Sequence, residues 1–118
     1  EQAAMSSCAE LTKKYFAVWN KHDVAGIKGL HADASTLKDW DGEHGPTNEK
    51  VAEGIKGIWT AVPDIKIEIV DIYLCGEARS CVANILVHVD ASTTLKVCDV
   101  FEYDEQGLVK SIFAYKAD

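Results

Sequence analysis

The stretch LKVCDVFEY, Leu95–Tyr103, decides the fold. Read as a strand, it turns Leu95, Val97, Asp99, Phe101 and Tyr103 to one face, because successive strand side chains alternate. Four of those five are large and apolar or aromatic, so the face is built for burial. The carboxylate in its middle needs a reason. An ionised carboxylate taken out of water without partners is prohibitively costly, so it finds donors or raises its pKa and stays neutral. As a core group, Asp99 would bond a buried tyrosine or a backbone group. As a site group, it would be an acid in a pocket, where perturbed carboxylates gather.

Strands of the same character lie on either side. Ile65–Leu74 and Arg79–Val89 are rich in β-branched residues and joined by CGEA, and DAST leads into Thr93–Tyr103. The turn DEQG, 104–107, opens onto Leu108–Tyr115. Four such strands joined by short turns predict an antiparallel meander.

Upstream the period changes from two to about 3.6. From Cys8 to Asn20, Leu11, Tyr15, Val18 and Trp19 form an apolar stripe. A short second helix, Val24–Leu30, carries Ile27 and Leu30 inward, weakened by Gly26 and Gly29. STLKDW, 35–40, reads as a short strand and DGEHGP, 41–46, as a loop. A third helix follows the cap candidate Thr47, with Val51, Ile55, Ile58 and Trp59 on one side, until Pro63 stops it. Helices followed by a meander predict an α+β domain, three N-terminal helices on one face of a strongly curved antiparallel sheet. The concave side of such a sheet is where a pocket would form.

One domain fits the 118 residues, with residues 1–7 reading as a disordered or tag-derived end. A formal charge of −7 with scattered lysines argues against nucleic acid or an anionic membrane as partner. No apolar run approaches a membrane span, and EQAAMSSCAE has neither the basic start nor the apolar core of a signal peptide. Cys8, Cys75, Cys81 and Cys98 show no C-x-x-C pair and no metal-ligand spacing, so neither zinc nor a disulfide framework is expected. Free, partly buried thiols suit a reducing compartment, although Cys75 and Cys81 flank a turn and could meet across it. The expected location is cytoplasmic.

Three further residues join Asp99 as candidates. Tyr15 lies on the first helix's apolar stripe, where its hydroxyl must find a partner if buried. Asp39 ends the short strand, where a pocket rim is expected; Asp41, two residues on, would point the same way in a strand register. Histidines are weaker candidates: His31 as a bonder of the second helix's last carbonyls, His44 in the loop, and His88 on the sheet's outer face.

YFAVWNKHDVAGIKGLHADASTLKDW, then AVPDIKIEIVDIYL, and finally CDVFEYDEQGLVKSIFAY resemble the nuclear-transport-factor-2-like superfamily. The likeness spans about residues 10–116 and is strongest to its SnoaL-like polyketide cyclases and ketosteroid isomerases. Its most specific pieces are Y-x-x-x-x-N-x-x-D, from Tyr15 to Asp23, and D-V-F-E-Y with its D-E-Q-G turn. The resemblance implies a cone-shaped fold and a homodimer formed through the sheet's outer face, where Val82, Leu86 and His88 would lie. It also implies an isomerase-type site without cofactor or metal: Asp39 as base, with Tyr15 and a protonated Asp99 as donors to an enolate oxygen. Trp40 stands where the isomerases follow their base with proline, and Asp41 competes with Asp39 for the role. The implied function is proton transfer beside a carbonyl of a small apolar ligand, in a pocket expected to use Trp19, Trp40, Asp41, Trp59, Val97 and Phe101. The alternative is a non-catalytic ligand-binding or dimerisation module of the same fold.

Overall fold

A computed structural model describes residues 7–76 and 79–118; the reading of residues 1–7 as a disordered or tag-derived end lies almost entirely outside them. The chain forms α1 (Cys8–Asn20), α2 (Val24–Leu30), β1 (His31–Lys38), β2 (Glu43–His44) and α3 (Asn48–Ala61). There follow β3 (Lys66–Leu74), β4 (Ser80–Asp90), β5 (Thr93–Tyr103) and β6 (Val109–Lys116).

Local chemistry starts and stops these elements. Ser7 caps α1 and Glu10 completes a capping box, the serine accepting from the Glu10 N–H at 3.1 Å. Asp23 caps α2 through the Gly26 N–H, and Thr47 caps α3 through the Lys50 N–H. Asn20 docks α1 on the edge of β3: its side chain accepts from the Ile67 N–H at 2.7 Å and donates to the Ile67 carbonyl at 2.8 Å. Asn20 and Asp23 of the Y-x-x-x-x-N-x-x-D pattern are therefore framework residues.

The six strands form one open sheet, ordered β2-β1-β6-β5-β4-β3. From β3 to β6 it is the expected antiparallel meander. β1 pairs parallel with β6, so the sheet is mixed and not wholly antiparallel. No hairpin joins β1 to β6: β2, α3 and the first three strands of the meander intervene, and the chain returns to β1 on the side opposite β2. β1 also begins at His31, four residues before the expected Ser35, and the 41–46 loop contains β2, paired with Leu37 and Lys38. His31 is thus both the first residue of β1 and the C-cap of α2, where its backbone N–H, and not its ring, donates to the Lys28 carbonyl.

Alternation in β4 is regular: Cys81, Ala83, Ile85 and Val87 are buried under the helices, while Val82, Asn84, Leu86 and His88 face the other way. On the helical side, α1 buries Thr12, Tyr15, Phe16 and Trp19, and α3 buries Val51, Ala52, Ile55 and Trp59. Leu11, Val18 and Ile58 are only partly buried, so both stripes are rotated slightly from the expected ones. Thr12 sits inward because its hydroxyl bonds Tyr103 at 2.7 Å and the Cys81 thiol at 3.1 Å. All four cysteines are free.

Candidate functional site

A cavity of about 490 Å³ opens between the helices and the concave face of the sheet. Its helical wall comes from Tyr15, Phe16 and Trp19 of α1 and from Gly54, Ile55, Gly57, Ile58 and Ala61 of α3. The sheet contributes Leu37, Val87, Leu95, Val97, Asp99, Ile112 and Ala114, and the rim is Asp39, Trp40, Asp41 and His44. His44 lies against Gly54, where a Cβ would come within 2.5 Å of the imidazole, so glycine is what lets β2 approach α3. The wall is mostly apolar. Its charged members are carboxylic acids, without lysine or arginine, so it suits a neutral or cationic ligand better than an anion.

Asp99 is buried in this cavity. Its strand neighbours on either side are Ala83 and Ala114, which leave space beside the carboxyl. Among the described residues no group hydrogen-bonds it, in contrast to the tyrosine or backbone partner a core acid would need. Burial, and secondarily the charge of Asp39, push Asp99 up to about 7, so near neutral pH it is protonated in a large fraction of molecules.

Tyr15 reaches the same cavity from α1, but its hydroxyl bonds His31 Nε2 at 2.8 Å. Burial first, then the charges of Asp99 and Tyr103, hold the phenol well above its ordinary value, so it is neutral. Edge contacts with Phe16, His31 and Phe101, ring centres 5.3–5.7 Å apart, fix its ring.

Asp39 is half-buried at the rim. Its Oδ1 accepts from the N–H groups of Asp41 at 2.8 Å and Gly42 at 3.0 Å, and its own N–H donates to the Gly42 carbonyl at 2.9 Å. This Asx turn joins β1 to β2. Asp41 consequently lies in a turn, not in strand register with Asp39, although both line the cavity. Oδ2 of Asp39 carries no such turn bond.

Of the residues expected around a ligand, Trp19, Trp40, Asp41 and Val97 line the cavity. Trp59 and Phe101 do not. Trp59 stacks on His22, ring centres 4.9 Å apart at 8°, and packs edge-on against Trp19, which stands between it and the space. Phe101 is wholly buried behind Tyr15 and Phe16 and stacked on Tyr103. Trp40, 42% exposed, stands at the mouth with Lys116 Nζ 5.5 Å from its ring centre.

His31 had no place in the expected site, yet it is buried and joined to Tyr15, with its Nδ1 3.1 Å from Ser35 Oγ. The available signal was its position directly after the second helix, where β1 begins. Among the described residues no three His, Cys, Asp or Glu side chains gather as a metal site, and no helix is long and apolar enough to cross a membrane.

No functionally curated protein matches the sequence. Solved structures with the same architecture include a SnoaL-like protein of unknown function from Burkholderia thailandensis, 18% identical, TM-score 0.80, covering 94% of this chain and 95% of that one. A candidate isomerase of the SnoaL-like family from Agrobacterium tumefaciens is 13% identical with TM-score 0.80, covering 97% of this chain and 100% of that one. A cystatin-like-fold protein of unknown function from Methylobium petroleophilum is 14% identical with TM-score 0.82, covering 94% of this chain and 76% of its own. At these identities the likeness is one of fold. The sequence profile of the SnoaL-like domain matches residues 12–112, most of the chain, and on that match the chain belongs to the SnoaL-like domain family.

Proposed function

We propose that the protein is a cofactor-independent acid–base enzyme that moves a proton beside the carbonyl of a small, apolar, uncharged ligand. The observation that carries this reading is Asp99: a buried carboxyl without a hydrogen-bond partner among the described residues, opening into a cavity that Tyr15 and Asp39 also line. In the first step the Asp39 carboxylate takes a proton from the carbon next to the carbonyl. The C–H electron pair becomes a C=C bond, and the carbonyl oxygen gains the negative charge. Asp99, protonated, and Tyr15 donate hydrogen bonds to that oxygen in a largely apolar space, where such bonds act most strongly. Return of the proton from Asp39 to a different carbon completes an isomerisation with atoms and charge balanced.

Turnover of a β,γ-unsaturated cyclic ketone tests the reading. Wild type is expected to exceed buffer, Asp39→Asn to lose about 10²–10⁴-fold, and turnover to fall as pH rises through about 7 and Asp99 loses its proton. A wild type no faster than buffer, or an Asp39→Asn variant that loses nothing, would overturn it.

A second reading has its own observation. Oδ1 of Asp39 is committed to the β1–β2 turn, which suits a structural aspartate in a module that binds without chemistry. Under that reading ligands bind, and Asp39→Asn changes stability but no rate. Either form is proposed to be a homodimer, with Tyr73, Phe113 and Tyr115 exposed on the sheet's outer face beside Val82 and Leu86. Light scattering checks this, and a monomer at micromolar concentration refutes it.

A further inference from the structure

We infer that Ser35 and His31 set the direction of the Tyr15 hydrogen bond, so that the Tyr15 O–H is offered to the cavity and not spent inside the core. The geometry of this chain of contacts stands alone; its catalytic consequence rests on the enzyme reading above.

A regular strand could not build it. Residues four apart in a strand are about 13 Å apart, yet His31 Nδ1 lies 3.1 Å from Ser35 Oγ. The pairing of β1 with β6 breaks between His31 and Thr36, and Asp33 and Ala34 are exposed there. Five residue steps of β1, His31 to Thr36, oppose only two of β6, Val109 to Ser111, and this slack lets the buried His31 and Ser35 side chains meet. Meanwhile the His31 N–H bonds the Lys28 carbonyl at the end of α2, which ties the backbone of the ring's own residue.

Burial pushes His31 down to about 4, so at neutral pH its ring has one N–H and one lone pair. Two arrangements follow. If Nδ1 carries the proton, it donates to Ser35, and Tyr15 donates to Nε2. The Ser35 hydroxyl proton is then left in a fully buried place where His31 is its sole hydrogen-bond partner among the described residues. If instead Ser35 donates to Nδ1, then Nε2–H donates to the Tyr15 oxygen. The remaining proton belongs to Tyr15, which borders the cavity, where water or a ligand oxygen accepts it. A buried donor without an acceptor costs about 1–3 kcal/mol, so the second arrangement prevails. A hydrogen bond received by the Tyr15 oxygen also makes its own O–H a better donor, since linked hydrogen bonds polarise one another. His31 and Ser35 are positioning residues: neither is among the residues that line the cavity.

The test is the ring tautomer of His31, read by two-bond ¹H–¹⁵N NMR on wild-type protein labelled at histidine, near pH 7. The His31 signals are those absent from a His31→Gln spectrum; should that variant not fold, they belong to the ring whose protons show nuclear Overhauser contacts to the Tyr15 ring, 5.4 Å away between centres. A protonated Nε2 with a bare Nδ1 is expected. A protonated Nδ1, or an even mixture of the two, overturns the inference. Ser35→Ala is expected to bring in the second tautomer and to lower kcat about tenfold at unchanged KM, the scale of one lost hydrogen bond. An Nε2–H tautomer in a protein without turnover would keep this inference and defeat the enzyme reading. The reverse result would do the opposite.

Discussion

Replacing Asp99 with asparagine should change the pH dependence of stability in a way that no other substitution in the cavity would. A carboxyl whose folded value is raised binds its proton more tightly in the folded state than in the unfolded state. Folding therefore loses stability as pH climbs from the ordinary 3.8 to about 7, and loses no more above that. At about 1.4 kcal/mol per tenfold change, the full loss is about 4 kcal/mol, of which about 2.5 falls between pH 5 and pH 8. His31 works the other way. Pushed down from 6.5 to about 4, it adds stability that is lost as pH falls through that window, which partly hides Asp99 in the wild type alone. Comparing wild type and Asp99→Asn at each pH cancels His31, and it also cancels any constant cost of a buried amide. Urea unfolding at pH 5, 6, 7 and 8 gives the comparison directly. The variant should gain on the wild type by about 2.5 kcal/mol from pH 5 to pH 8. A difference that stays constant across the series would mean that Asp99 is solvated or bonded in solution, and the argument for a neutral acid in the cavity would fail.

Two further substitutions separate scaffold from site. Thr12→Val keeps the shape of a fully buried residue but strips the Tyr103 hydroxyl of its 2.7 Å partner; a loss of about 1–3 kcal/mol is expected in urea, and a change below about 0.5 kcal/mol would show that this bond adds nothing net. Ala114→Leu places a larger side chain beside Asp99, at a partly buried position on the cavity wall. It should cost about 1–3 kcal/mol of stability, while weakening binding of a cyclic ketone at least tenfold by calorimetry. Unchanged affinity would place the ligand elsewhere.

Much of this architecture is written in short-range pattern. Cys81, Ala83, Ile85 and Val87 alternate without a break, so β4 and its burial could be read directly. Asp99 was legible for the same reason: its phase is that of Val97 and Phe101, whatever its chemistry. The pairing of β1 with β6 was not, because the bulge over Asp33 and Ala34 erases the alternation that would have extended the strand back to His31. Parallel pairing across most of the chain also leaves no local turn to read. Period tells that Trp59 and Phe101 point inward, but not what they meet. His22 and Trp19 claim the first, Tyr15 and Phe16 the second, and both are tertiary facts. The role of Tyr15 was half legible in the same sense: burial followed from the stripe, while its partner, His31, comes from a different element and a broken strand.

Whether Asp99 belongs to a site or is only a core acid turns on what occupies the space between it and Asp39. A core acid is normally given donors, because an unmet buried carboxyl destabilises the fold at every pH where it would otherwise ionise. Tyr15, the nearest candidate on pattern, is bonded to His31, and Asp99 is flanked across the sheet by two alanines. Trp40 could have closed the gap, but it stands at the mouth, exposed and drawn toward Lys116. What lies between is a cavity of about 490 Å³ with apolar walls. The fold thus bears the cost of an unpaired acid and leaves room beside it for a group that would accept its proton. That combination is what the proposed reading requires, with a ligand oxygen beside Asp99.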